Sequence, residues 1–193
     1  MALKNPLKSP IKKSILKLDL ACGSNKQKGF IGVDLIKKGT QADVAWDLTK
    51  YPWPFKNNSV SEIFSSHYLE HIPHIDGYDD GLFHFMDECY RILKVGGTAT
   101  FLTPYYTSVR AFQDPTHHRF IGETTFAYFS KKWRKFVKIE HYPIKCDFDV
   151  IKIDHSIIPE LNGKSRESIQ YEVAHSWNVV NDIIVTLKKL KEK

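Results

Sequence analysis

Nine residues separate two short apolar runs near the start of the chain, and that spacing restricts the fold more than any other feature. Ile15, Leu16, Leu18 and Leu20 give residues 14–20 the pattern of a buried strand. Phe30-Ile31-Gly32-Val33 begins a second strand, 30–34, that closes on Asp34. Between them lie only residues 21–29, which open with the turn formers Cys22-Gly23-Ser24-Asn25. A crossover between parallel strands ordinarily takes about a dozen residues or more, most often as a helix. The first helix is therefore reduced to a turn or lost. A strand, a close glycine turn and an acid at the next strand's tip also suit a nucleoside crevice in an open α/β sheet. The turn lets a ligand approach the main chain, and the carboxylate accepts hydrogen bonds from ribose hydroxyls. Taken alone, these residues fit an ordinary strand connection equally well.

The remaining pattern supplies the rest of a sheet. Residues 42–46 read as a third short strand ending at Asp47-Leu48, and 60–66 as a fourth. Between them Tyr51-Pro52-Trp53-Pro54-Phe55 excludes helix. The clearest helix spans 79–94, where Leu82, Phe85, Met86, Cys89 and Leu93 recur at helical spacing. Asp79 and Asp80 start it, Arg91 and Lys94 end it, and Gly96-Gly97 stop it. A fifth strand, 98–103, ends at Pro104. Beyond it the pattern loosens: a short helix at 124–129, strand-like alternation at 136–142 and 148–156, a turn at 160–168, and a last strand at 179–190. Four or five strands before Pro104, with a helix between the last two, argue an α/β fold with a mostly parallel sheet. The chain reads as one domain, 1–193, with a basic irregular arm at 1–13 and a variable region at 105–178.

Composition narrows the class. A chain of 193 residues can bury one sizeable core. No apolar run approaches the roughly 18 residues of a membrane span, and the lysine-rich N-terminus lacks an apolar signal core. Three cysteines, Cys22, Cys89 and Cys146, sit at unrelated spacings. They argue against a disulfide framework or a four-cysteine zinc site and fit a reducing, cytoplasmic setting. The net charge is +6, with basic clusters in the arm, at Lys131-Lys132-Trp133-Arg134-Lys135 and at Lys188-Lys189-Leu190-Lys191. Nucleic acid is a conceivable partner. The excess is modest and no RNA-binding signature accompanies it, which favours a solvated basic surface.

An ordered set of motifs then points further. Leu18-Asp19-Leu20-Ala21-Cys22-Gly23 resembles the first motif of class I S-adenosylmethionine-dependent methyltransferases. The layout Asp34, Asp47-Leu48, Pro52-Trp53-Pro54-Phe55 and Ser59-Val60 is similar to the small type 11 methyltransferase-domain branch. So are His67-Tyr68-Leu69-Glu70-His71-Ile72 and Glu88-Cys89-Tyr90-Arg91-Ile92-Leu93-Lys94-Val95-Gly96-Gly97. The resemblance runs from Leu18 to about Pro104 and weakens through Asp114-Pro115-Thr116-His117 and Phe126-Ala127-Tyr128-Phe129. It implies a Rossmann-like, mostly parallel sheet with an antiparallel C-terminal strand and a shortened first helix. Two departures stand out. The family usually has glycine where this chain has Ala21, so the backbone there must avoid positive φ or accept strain. The loop after Gly23 is also short, leaving that side of the pocket thinly covered, with the basic arm or a partner chain as candidate lid.

The resemblance implies S-adenosylmethionine as cofactor, held by Asp19, Ala21, Cys22, Gly23, Asp34, Leu35, Asp47, Leu48 and His67. Asp19 and Gly23 would line the methionine end, and Asp34 would take both ribose hydroxyls. Asp47 would accept from the adenine amino group with Leu48 against the ring, although a side-chain-capped turn suits Asp47 as well. His67 would contact the methionine portion mainly by backbone. On the acceptor side Tyr105, Tyr106, His118 and Arg119 are substrate candidates, with His117 as general base positioned by Asp114. A structural role for His117 in its loop is the competing reading, and the same holds for Glu70 and His71.

Other chemistries compete less well. His67-Tyr68-Leu69-Glu70-His71 matches the inverted zinc-protease pattern H-x-x-E-H. Pro73 would break its helix at once, and no distant acidic ligand stands out. A nicotinamide dehydrogenase lacks its G-x-G-x-x-G after the first strand. A non-catalytic module that keeps the fold remains an alternative. The expected reaction is transfer of the sulfonium methyl to an N or O nucleophile of an unidentified acceptor, small molecule or macromolecule. It needs no metal, because the sulfonium is already activated.

Overall fold

The computed structural model describes residues 16–75 and 79–191. The arm at 1–13, its suggested role as a lid, and residues 14 and 15 of the first expected strand lie outside the described residues. The chain builds a seven-stranded sheet from β1 (Leu16–Leu20), β2 (Ile31–Asp34), β3 (Val44–Ala45), β4 (Val60–Ser66), β5 (Leu93–Pro104), β6 (Phe148–Ile157) and β7 (Val180–Lys189). Their order is β3-β2-β1-β4-β5-β7-β6. The first five are parallel, and β7 enters between β5 and β6 as the expected antiparallel C-terminal strand, with β6 running in the direction of the first five. The order reverses between β1 and β4, which places a crevice at the carboxyl ends of those strands.

No helix joins β1 to β2. The short loop is stitched down instead. Gln27 N–H donates to Asp19 Oδ2 at 2.7 Å, and Gly23 N–H donates to Asp34 Oδ2 at 2.8 Å. Gln41 N–H donates to Gly23 O at 2.7 Å, and Asp43 accepts from both Lys26 Nζ and Gly32 N–H at 2.8 Å. Gly32 is needed because a Cβ there would lie 2.7 Å from Lys26 Cδ, 2.8 Å from Cys22 Sγ and 2.9 Å from Gln41 O. Two side chains of the loop, Cys22 and Lys26, thus lie directly on β2, beside the Gln41 carbonyl of the segment that follows β2.

The single long crossover helix, α1 (Gly81–Ile92), connects β4 to β5. Asp80 caps it by accepting from Leu82 N–H. Leu82, Phe85, Met86 and Cys89 form its buried stripe, and Phe85 meets Phe101 of β5 edge-on at 6.0 Å. Burying each such side chain stabilises the fold by about 1.5–3 kcal/mol. The helix stops two residues earlier than its periodicity suggests, because Leu93 already pairs with Val60 as the first residue of β5. At its end Glu88 accepts from Trp53 N–H at 2.5 Å and from Arg91. Arg91 also donates to Phe55 O, so the Pro52-Trp53-Pro54-Phe55 stretch is tied to the helix by buried charge.

The C-terminal half departs more from the sequence pattern. Short helices α2 (Glu123–Ala127) and α3 (Lys131–Phe136) follow β5, and α4 (Arg166–His175) joins β6 to β7. The strand expected at 136–142 is instead the turn after α3, with Phe136 fully out in solvent at 78% exposure. The basic run at 131–135 is helical, capped by Ser130, with Arg134 turned inward to the carbonyls of Tyr128, Ile144 and Cys146. All three cysteines are buried and unbridged. Among the described residues, no helix is long and apolar enough to cross a membrane.

Candidate functional site

The sequence-selected acids gather along the carboxyl edge of the parallel strands. Asp19 lies within β1 one residue before its end, and burial pushes its carboxyl up against the opposing pull of the Gln27 N–H and Lys26. Asp34 ends β2. Its Oδ2 holds Gly23 N–H, and its Oδ1 accepts from Leu35 N–H at 2.7 Å. Each oxygen keeps a further lone pair for a ligand. Asp47 follows β3, and its Oδ1 takes Thr49 N–H and Oγ1–H at 2.9 and 2.6 Å. These bonds pull its pKa down. Asp47 thus makes the side-chain-capped turn, with Oδ2 unengaged by protein among the described residues.

Ala21 accepts the strain: its φ is 55°, in the left-handed region that Gly23, at 51°, shares. Cys22 is buried beneath the loop, and its thiol is pushed up to about 11, first by burial and then by the charges of Asp19 and Asp34. Leu48 is buried, whereas Leu35 stands 63% exposed beside Asp34.

His67 turns the chain out of β4 at φ 53°, with its N–H on Leu102 O at 2.8 Å. Its Nδ1 lies 3.2 Å from Glu70 Oε1, and its Nε2 lies 4.0 Å from Asp182 Oδ1. That Asp182 oxygen is buried without a hydrogen bond, while Oδ2 accepts from Arg110 at 2.6 Å. Residues Leu69–His71 form a single 3-10 turn that sends Glu70 inward and leaves His71 half-exposed. His67 and His71 therefore do not stand one α-helical turn apart, and the H-x-x-E-H hydrolase arrangement does not form.

Tyr68 is a further candidate for the site, one the sequence reading passed over. Its ring packs on Phe85 at 5.5 Å, and its hydroxyl is pushed up to about 12 by burial first and then by Asp47, Cys89 and Asp34. It therefore lies in the field of both Asp34 and Asp47. The signal was its place in His67-Tyr68-Leu69-Glu70-His71.

The stretch after β5 folds back onto the 67–73 segment. His118 N–H donates to Glu70 O at 2.7 Å, and His74 Nε2 lies 3.0 Å from His118 O. Arg119 donates to Ile72 O and Pro73 O and pairs with Asp80 at 2.8 Å. Its guanidinium is spent inside the fold, so Arg119 fastens this loop to the start of α1 rather than reaching for a substrate. Tyr105 is likewise buried, with its hydroxyl on Glu123 at 3.0 Å, while Tyr106 is exposed. Asp114 does not orient the His117 ring. Its Oδ1 takes Thr116 N–H and Oγ1–H, and His117 Nδ1 faces Ala111 O at 3.0 Å. His67, Glu70, His71, Arg110 and His117 line a cavity of about 190 Å³ with Pro104. That volume suits the reacting end of a molecule rather than a whole ligand.

Solved structures of methyltransferases share this fold. The chain is similar to a SAM-dependent methyltransferase from Archaeoglobus fulgidus, with 23% identity, 92% of this chain and 87% of that chain covered, and a TM-score of 0.61. It is also similar to one from Methanosarcina mazei, with 14% identity, 94% and 95% coverage, and a TM-score of 0.54. A third, from Mesorhizobium loti, gives 14%, 91% of each chain, and 0.50. No family model matches the sequence, and no curated protein matches it either.

Proposed function

We propose that the protein is an S-adenosylmethionine-dependent methyltransferase. The observation that carries this reading is the succession of Asp19, Asp34, Asp47 and His67 at or beside the carboxyl ends of β1 to β4, on both sides of the reversal in strand order. Asp19 and the Gly23 turn receive the methionine end. Asp34 takes the ribose hydroxyls on the lone pairs left by Gly23 and Leu35. Exposed Leu35 and buried Leu48 offer apolar edges to the adenine, and Asp47 Oδ2 is free for its amino group. Asp19 must be ionised to pair with the methionine ammonium, so its buried carboxylate gains most from a cationic ligand.

The sulfonium then points toward the cavity of His67, Glu70, His71 and His117. The acceptor, an N or O nucleophile, attacks the methyl carbon in line as the carbon–sulfur bond breaks. The protein aligns the two and excludes water. His117, with Nδ1–H committed to Ala111 O, keeps an Nε2 lone pair that can receive the acceptor's proton when no cation occupies the cavity. Calorimetry with S-adenosylmethionine and S-adenosylhomocysteine tests the reading. Folded protein that binds neither at high micromolar concentration refutes it. Transfer of a tritiated methyl group into fractionated extract then identifies the acceptor class.

A further inference from the structure

We propose that Glu70, His71 and His117 form a binding site for a divalent transition-metal cation on the acceptor side of the pocket. One ligand atom from each lies within 4.8 Å of the other two. A tetrahedral ion with bonds of about 2.0–2.1 Å would place them about 3.3 Å apart, so the three groups draw closer on binding it. The rings of His71 and His117 already meet edge to face, with centroids 4.7 Å apart.

The hydrogen bonds around the cluster fix which nitrogens are available. Ala111 O can only accept, so His117 Nδ1 carries the proton and Nε2 carries the lone pair. Thr116 gives its hydroxyl proton to Asp114 Oδ1 at 2.7 Å, so its oxygen accepts from His71 Nδ1–H at 2.9 Å. His71 Nε2 is then the second free lone pair. Glu70 is 1% exposed and held by Thr103 Oγ1–H at 2.9 Å and by His67. Two imidazoles anchored through Nδ1 and one anchored carboxylate are the arrangement in which outer partners orient metal ligands. Two nitrogens and one oxygen suit zinc, manganese or iron better than magnesium or calcium, with positions left open for an exogenous oxygen. The line Asp114–Thr116–His71 also gives Asp114 a role: it orients His71, not His117.

The chemical use of the site rests on the methyl-transfer reading. An acceptor hydroxyl bound to the cation releases its proton to water more readily. Its oxygen then forms the bond to the methyl carbon, and the electron pair of the broken carbon–sulfur bond returns to sulfur, leaving neutral S-adenosylhomocysteine.

Binding is tested without any assay of activity. The chelator-treated protein is titrated with Zn²⁺, and separately with Mn²⁺, by calorimetry. One equivalent is expected. His71→Ala and His117→Ala should each raise the dissociation constant at least tenfold, and Thr116→Val, which only removes an anchor, about tenfold. His175→Ala, on exposed α4, should leave it unchanged. On the wild-type chain the ring resonances of His71 and His117 should shift together as Zn²⁺ is added, a readout that needs no variant to fold. Absence of a one-equivalent site, a site that survives both histidine substitutions, or unmoved ring resonances overturns the proposal. Zinc binding without S-adenosylhomocysteine binding sinks the methyl-transfer reading and leaves the cation site standing.

Discussion

A methyl group added at Gly32 tests the claim that side chains of the β1–β2 loop lie directly on the sheet. In Gly32→Ala the new Cβ meets three atoms inside 3.0 Å: Lys26 Cδ, Cys22 Sγ and Gln41 O. Lys26 can swing away, though only by giving up its 2.8 Å contact with Asp43. Gln41 O is main chain, and Gln41 is itself bonded to Gly23 O. Relief therefore requires the Gln41 backbone, and with it the Gly23 turn to which it is bonded, to shift. Overpacking of this kind costs about 1–3 kcal/mol, and a backbone contact places it in the upper half. At about 2–4 °C per kcal/mol for a domain of this size, the melting temperature should fall by about 4–12 °C. That shift displaces Gly23. Loss of one hydrogen bond to the cofactor, about 1 kcal/mol, should weaken S-adenosylhomocysteine about fivefold. The assays are a thermal melt and calorimetry on Gly32→Ala, Cys22→Ala and the double variant. Removing Sγ should return part of the loss, seen as a coupling of at least about 0.5 kcal/mol in the cycle. A Gly32→Ala protein with unchanged melting temperature and unchanged affinity would refute direct loop-on-sheet contact.

Three further outcomes follow from the same geometry. Asp34→Ala should weaken S-adenosylhomocysteine by about 1–3 kcal/mol and also lower stability, since Gly23 and Leu35 lose their acceptor; calorimetry beside a thermal melt reads both. Asp19 has a folded pKa raised above 3.8, so the stability of its protonated form is lost as pH rises from there through the folded value. At pH 7 the buried charge is a burden, and Asp19→Asn should melt at or above wild type while binding cofactor less well. That advantage should shrink in melts below pH 4, and a lower melting temperature for the variant at pH 7 would contradict the burial argument. Arg119→Met removes a guanidinium with 9% side-chain exposure from Asp80, Ile72 O and Pro73 O. Urea unfolding should show a loss of about 3 kcal/mol, the scale of a broken buried pair.

The parallel half of the sheet was legible because each strand is a short apolar run bounded by turn formers, and 60–66 matches β4 residue for residue. The long helix was legible because Leu82, Phe85, Met86 and Cys89 face one core. The helix Arg166–His175 was not, since none of its residues is buried and no apolar stripe marks it. Residues 136–142 misled in the opposite direction: Val137 and Ile139 alternate with polar residues, but they lie in the turn after α3 and neither is buried. The acids of the candidate donor site could be placed in the fold because each lies at or beside the end of a strand: Asp19 within β1, Asp34 ending β2, Asp47 just past β3. The working partners of Arg119, Tyr105 and Asp114 could not. Asp80 and Glu123 are chosen by tertiary folding, and the turn at Thr116 gains its meaning only when His71 arrives from 45 residues away.

Ala21 carries a consequence beyond its strain. A glycine at φ 55° would be comfortable there, but it would also sample many other shapes whenever the pocket is empty. Alanine gives up native-state comfort and removes much of that freedom, and at positive φ the strain is the larger of the two effects in folding stability. In recognition the second effect counts. With the loop held in one shape by Asp19, Asp34 and Gln41, little entropy is left to lose when a ligand docks. The rate at which a ligand enters this crevice should then be set by encounter rather than by waiting for a loop to rearrange.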